Sequence, residues 1–245
     1  MKPIIRWSLT LGILINPVSN LGLIQPTPVV ALPQSAIVDF LAGVPVYSLI
    51  NQQGSPVDRQ LDDGSVVTPV FMSRREAEAF ATELRRIDPE TANSYSIQMF
   101  PLGRIYEVAR QNSSNSNRLF LDYIPNTKEL EIARQFVTEN GQKYPGDVPL
   151  YMAKIASDQS YLTIKQDDQD IVPVFFEKAP IDQWINTVSQ AQPELAQGIT
   201  ISVISLSSLI ANLEKHDNPL LRSLRFWPSE EMMKIIRSNP QNQPQ

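Results

Sequence analysis

The sequence predicts an α+β fold, sandwich-like, made of two pseudo-symmetric repeats offset by 104 residues and packed as one body. Three observations lead there. The first is self-similarity: Val44-Pro45-Val46-Tyr47 returns as Val148-Pro149-Leu150-Tyr151, and Pro69-Val70-Phe71 as Pro173-Val174-Phe175, both at the same ungapped spacing. The second is an apolar rhythm that switches between strand-like runs and helical spacing in the same order in each copy. The third is the stretch joining the copies, Asn126 to Gly146, which holds a capped amphipathic helix and lacks the composition of a flexible linker.

Between residues 44 and 108 the offset gives 12 identities in 65 positions, about three times the chance level for ordinary residue frequencies. Pro89-Glu90 pairs with Pro193-Glu194, Ala92 with Ala196, Ile97 with Ile201 and Leu102 with Leu206. Apolar positions agree where identities lapse, as in Phe80 with Trp184 and Leu84 with Val188.

In the first copy, Val44 to Ile50 and Val66 to Met72 read as strands, being rich in Val, Ile, Tyr and Phe. Gly54, Pro56 and Asp62-Asp63-Gly64 supply turn chemistry between them. Ser73 and Glu76 have capping-box spacing, so a helix starts there and presents Ala77, Phe80, Ala81 and Leu84 on one face. Asp88-Pro89 ends it. A strand at 95–100, a helix at 102–110, a polar loop at 112–117, a strand at 119–124 and a helix at 128–139 capped by Asn126 or Thr127 follow. The second copy repeats the order through 171–176, 181–188, 199–204 and 206–215. Because the linking helix carries Leu130, Ile132, Ala133, Phe136 and Val137, the copies at 32–140 and 141–237 are expected to share a core. The Asn-, Gln- and Pro-rich tail at 238–245 is expected to fray.

The first 31 residues read as an export signal. Lys2 and Arg6 precede an apolar Trp7-to-Ile15 segment, Asn16-Pro17 breaks it, and Val29-Val30-Ala31 suits a peptidase. A membrane span needs about 20 mostly apolar residues, and Asn16, Pro17, Ser19 and Asn20 interrupt this one. A soluble mature chain beginning at Leu32 is expected.

Composition excludes several function classes. There is no cysteine and only one histidine, His216, which rules out thiolate chemistry and multi-histidine metal sites. The formal charge is −5, and loss of Lys2 and Arg6 leaves 19 basic residues against 26 acidic ones. Such a chain is a poor partner for nucleic acid. No phosphate-binding loop, nucleophile elbow or HExxH occurs, and the acidic clusters at Asp62-Asp63 and Asp167-Asp168-Asp170 lack calcium-loop spacing. No catalytic residue, cofactor or metal site is expected. Tyr47, Met72, Phe80, Tyr151, Met152, Phe176, Trp184, Met232 and Met233 form a candidate polypeptide-binding groove, since Met72 and Phe176 alternate with Phe71 and Phe175 and flexible thioethers adapt to varied partners.

The order of Val44 to Tyr47, Pro69 to Phe80, Pro101-Leu102, Ile124 to Asn126, Val148 to Tyr151 and Val172 to Phe176 resembles the Tic-twenty-two family, soluble components of chloroplast preprotein import with cyanobacterial relatives. The resemblance covers about Leu32 to Arg237. It implies a butterfly-shaped α/β body with apolar grooves, acting as a chaperone-like escort for unfolded or outer-membrane-protein clients between two membranes. With an export signal it implies a cyanobacterial-type member in the periplasm or the thylakoid lumen, working beside an outer-membrane assembly or translocon component. Two other readings stand beside it: an exported hydrolase-type enzyme using carboxylates, and a structural subunit of a membrane translocon.

Overall fold

The computed structural model of the chain describes residues 31–112, 119–139, 143–196 and 198–238. Apart from Ala31, Asn112 and Ser238, the expected signal segment, the 112–117 loop and the tail lie outside those residues.

The first half runs α1 (Gln34–Ala42), β1 (Pro45–Asn51), β2 (Arg59–Gln60), β3 (Val66–Phe71), α2 (Arg74–Ile87), α3 (Pro89–Asn93), β4 (Tyr95–Pro101), α4 (Leu102–Gln111), β5 (Leu119–Ile124) and α5 (Thr127–Glu139). The second runs β6 (Pro149–Ile155), β7 (Ile164–Gln166), β8 (Gln169–Phe175), α6 (Lys178–Ala191), α7 (Pro193–Ala196), β9 (Ile199–Ser205), α8 (Leu206–Lys215), α9 (Pro219–Ser223), β10 (Leu224–Trp227) and α10 (Glu230–Ser238). The fold class is the expected one: mixed helix and sheet, with each half contributing its own sheet. Short elements such as α9 and the four-residue β10 went unpredicted, because they have too few residues to display a period.

The two sheets are wired alike. β1 lies antiparallel to β4 from Pro45↔Pro101 to Asn51↔Tyr95 and meets β3 at Tyr47↔Phe71, while β3 runs parallel to β5. Likewise β6 lies antiparallel to β9, meets β8 at Tyr151↔Phe175, and β8 runs parallel to β10.

Alternation along β1 and β6 feeds two different cores. Val46, Val70 and Met72 point inward and meet Leu150, Met152, Val174 and Phe176 of the other half in one continuous cluster. Tyr47, Leu49 and Phe71 point outward under Phe80 and Leu84 of α2, whereas Tyr151, Ala153 and Phe175 lie under Ile181 and Val188 of α6. Strands covered on both faces need apolar residues at successive positions, which is what these sequences carry. Each fully buried side chain, such as Leu102 or Leu206, contributes roughly 1.5–3 kcal/mol.

The last helix of each half crosses to the opposite sheet. Leu130 and Val137 of α5 pack on the outer core of the second sheet, and Ile235 of α10 packs on that of the first. Helix α1 stands alone in the N-terminal position, resting on α4 and α8. A Cβ on Gly103 would come within 2.2 Å of the Val38 carbonyl oxygen, so α1 reaches α4 only because that position has no side chain.

Two outcomes follow. Gly103→Ala forces α1 off α4 and lowers stability in urea titration by about 1–3 kcal/mol, the usual cost of overpacking. Fragments 32–140 and 141–237, expressed separately, each lack half of the central core; neither gives a cooperative unfolding transition or dispersed amide spectrum alone.

Candidate functional site

Where the halves meet, carboxylates sit on helix N-termini. Glu231 of α10 accepts from the Tyr47 hydroxyl at 2.9 Å and from the Arg74 N–H at 3.1 Å, at the start of α2. Glu129 of α5 accepts from the Lys178 N–H at 3.1 Å, at the start of α6, and from the Tyr151 hydroxyl at 3.5 Å. Return contacts run from the Thr127 N–H to Glu76 and from the Glu230 N–H to Glu177, each at 3.2 Å. Glu76, expected to close a local capping box, instead takes the Ser73 hydroxyl with one oxygen and the N-terminus of α5 with the other. Free amides and the helix dipole favour negative charge at all four ends.

Burial, followed by the hydrogen bond and charge of Glu231, pushes the Tyr47 phenol up to about 12. Burial likewise raises the Glu129 carboxyl above its ordinary value, against the pull of the Lys178 N–H. The space between these groups, lined by Met72, Glu129, Phe176, Glu177, Glu231 and Met232, measures about 30 Å³. That is room for about one water. The carboxylates are therefore engaged as helix anchors. Among the described residues no group of three or more His, Cys, Asp or Glu is placed to hold a metal ion.

The structure corrects the groove drawn from the sequence. Tyr47, Met72, Tyr151, Met152, Phe176 and Met232 are buried, at 9% exposure or less. Met72, Met152, Phe176 and Met232 belong to the central core, and Tyr47 and Tyr151 to the outer ones. Phe80 and Trp184 lie half-buried against Phe71 and Phe175, at ring-centroid distances of 5.3 and 5.7 Å, and Met233 is half-buried on α10. The face taken as open is closed by the other half, so these residues form no common surface groove.

An apolar groove does open elsewhere, between α4, β5 and α8. It encloses about 420 Å³ over Ala109, Leu119, Phe120, Leu121, Tyr123 and Ile210. Leu119, Leu121 and Tyr123 share the strand face turned to it and are half-buried, whereas Phe120, 49% exposed, stands on the opposite face. At the rim the Tyr106 hydroxyl donates to Glu214 at 2.9 Å, and Arg110 stands 3.5 Å from the same carboxylate. Burial holds the Tyr106 and Tyr123 phenols protonated well above their ordinary range. An apolar floor with a few polar groups at the edge suits an apolar ligand with a polar flank. A wider depression of about 560 Å³ beside β8 and α9 is lined mostly by polar and charged residues, and its Arg222 is paired with Asp217. The sequence signal for the groove is the alternating set Leu119, Leu121 and Tyr123 on one face of a strand, a pattern that predicts the strand and not what covers it.

Two coupled sheets with exchanged terminal helices and one open apolar groove describe a mixed α/β body suited to binding. The sequence matches the Tic22-like family over residues 18–236, and the chain belongs to that family. Among solved structures it is similar to Anabaena Tic22, described as a protein-transport protein, with 28% identity and a TM-score of 0.74 over 87% of this chain and 100% of that one. It is also similar in fold to Tic22 from Plasmodium falciparum, with 19% identity and a TM-score of 0.60 over 84% of this chain and 99% of that one. No curated protein matches the sequence.

Glu129 offers a test of the anchoring role. With its folded pKa raised above the unfolded value, the folded state binds the proton more tightly. Its contribution is thus most favourable below the unfolded carboxyl range and declines as pH rises through the folded value. Glu129→Gln keeps an acceptor, removes the buried charge, and leaves stability at neutral pH equal or higher, with a flatter acid-to-neutral profile. Glu129→Ala strands the Lys178 N–H, while the Tyr151 hydroxyl keeps the residue-129 carbonyl at 3.4 Å, and costs about 1–3 kcal/mol. Chemical denaturation of the two variants across pH separates these outcomes.

Proposed function

We propose that this chain is a non-catalytic, chaperone-like protein-transport factor, exported through its N-terminal segment, that holds unfolded or apolar polypeptide between two membranes. One observation carries the reading: the whole of Anabaena Tic22, described as a protein-transport protein, is matched at 28% identity with a TM-score of 0.74. The apolar groove over Leu121 and Tyr123 supports it, since exposed apolar concavities on such bodies commonly serve binding. The carboxylates clustered between the halves, Glu129, Glu177 and Glu231, accept from backbone amides at helix N-termini, which counts against their use in a hydrolase. Lys2, Arg6 and the apolar segment behind them support export, and family membership together with export supports the periplasm or thylakoid lumen and outer-membrane-protein clients.

Titrating the chain from Leu32 onward with a urea-unfolded outer-membrane β-barrel protein tests the binding. Saturable association and slower aggregation after dilution are expected, whereas aggregation unaffected by an excess of the chain rules the reading out. N-terminal sequencing of the exported form should begin at Leu32.

A further inference from the structure

The open groove has a counterpart in the second half, and that counterpart is filled. Leu121 and Tyr123 of β5 stand opposite Thr68 and Val70, while Leu224 and Phe226 of β10 stand opposite Val172 and Val174. Thr68 and Val172, like Val70 and Val174, are 104 residues apart. Tyr123 therefore corresponds to Phe226, Leu121 to Leu224 and, on the helices, Ala109 to Leu213. In the second half, α1 covers these positions. The Phe40 ring lies 4.6 Å from Phe226, which stacks in turn at 4.9 Å on Phe176. The Leu32 N–H donates to the Leu213 carbonyl at 3.3 Å, and Ile37 and Leu41 are 2% and 0% exposed. Ile37, Phe40 and Leu41 share one face of the helix, at the spacing of a helix laid in a groove.

In the first half, Ala109, Leu121 and Tyr123 line the open groove with Leu119, which lies on the same face of β5. The geometry points to an amphipathic α-helix of a partner polypeptide as the ligand of this groove, seated on Ala109 and Tyr123 as α1 is seated on Leu213 and Phe226. The inference rests on the polypeptide-binding reading above and narrows its ligand from any apolar segment to a helical one. Two differences set the ligand's shape. Ala109 is smaller than Leu213, which leaves room for a large apolar side chain at that end. Ser207 stands where α4 has Gly103, so a ligand helix cannot approach α8 as closely as α1 approaches α4. The Arg110–Glu214 pair and the Tyr106 hydroxyl then meet its polar flank.

The probe is a hydrocarbon-stapled peptide with the sequence of residues 33–43 and a photoreactive group at the Phe40 position, added to the chain from Leu32 onward. Stapling is needed because a free segment this short is barely helical in water. Saturable binding with crosslinks to Leu119–Tyr123 is expected. Leu119→Asp, at a half-buried position on the groove face of β5, weakens binding by about tenfold or more, and the milder Leu119→Ala weakens it less. Phe120→Asp, on the opposite face of the same strand, and Trp227→Asp, at an exposed apolar residue in the other half, leave it unchanged. Crosslinks confined to Phe226 would mean the peptide merely exchanges with α1 and would overturn the proposal. So would a Leu119→Asp variant that binds like the parent, or equal binding of a proline-broken peptide of the same composition. The unfolded barrel protein is titrated alongside. If it binds and the stapled helix does not, only the helical ligand is lost; if neither binds, the transport reading falls with it.

Discussion

The structure depends on an exchange of helices between halves, locked by two carboxylates. Glu129 and Glu231 each leave their own half, sit on the first turn of a helix in the other, and accept a tyrosine hydroxyl from that half's central strand. A helix N-terminus offers unpaired amides and positive potential, so burying a glutamate there is tolerable where burying it elsewhere is not. Remove the exchange, and each outer core loses part of its roof. The same contacts hold the inner sheet faces together, where Val46, Val70, Leu150 and Val174 make the shared core. A close-packed junction of this kind leaves only a water-sized gap, about 30 Å³, between the halves. Binding capacity is therefore pushed outward to the rim formed by α4, β5 and α8.

Much of the architecture was legible because the sequence states it twice. Strand boundaries fall where Val-Pro and Pro-Val-Phe fall, and the Ser73 and Asn126 caps mark helix starts, with Asn126 accepting from the Lys128 N–H at 3.0 Å. His216 sits at the exposed end of α8, as a terminal helix residue should. Helix exchange was not legible. The pattern Leu130, Ala133, Val137 announces an apolar face but carries no record of which sheet it will cover. The groove failed for a related reason. A strand buried on both faces and a strand with one open apolar face have the same sequence, so Met72 and Phe176 looked available when the other half covers them. Their true surroundings depend on how two sheets meet face to face, a contact among residues about a hundred positions apart. The open groove was hidden differently: Ala109, Leu121 and Ile210 come from three separate elements, and no helix covers them as α1 covers their counterparts.

Departures from symmetry carry as much meaning as the symmetry itself. Where the second half has Leu213 and Phe226 under α1, the first has Ala109 and Tyr123 on the floor of an open groove. Where α4 has Gly103 to admit a neighbouring backbone, α8 has Ser207, and the Asp147 carboxylate takes the Ser207 N–H at 3.0 Å. The groove of the second half is thus closed by α1, a helix of the first, while the groove of the first half is open to the surface. Division of labour between repeats needs few changes when the scaffold is held by contacts elsewhere.

The hydrogen bond between Tyr47 and Glu231 spans 184 positions of sequence. The first sheet's outer face is thus roofed by almost the last helix to be synthesised. Contacts that close such long loops form late and slowly. A growing or partly threaded chain cannot finish even its first half: α2 can cover Leu49 and Phe71, but its first turn and the Ile235 contact wait for α10. Maturation is in that sense decided late: a chain cut short before Glu231 would have every residue of its first sheet and still an unanchored helix over it.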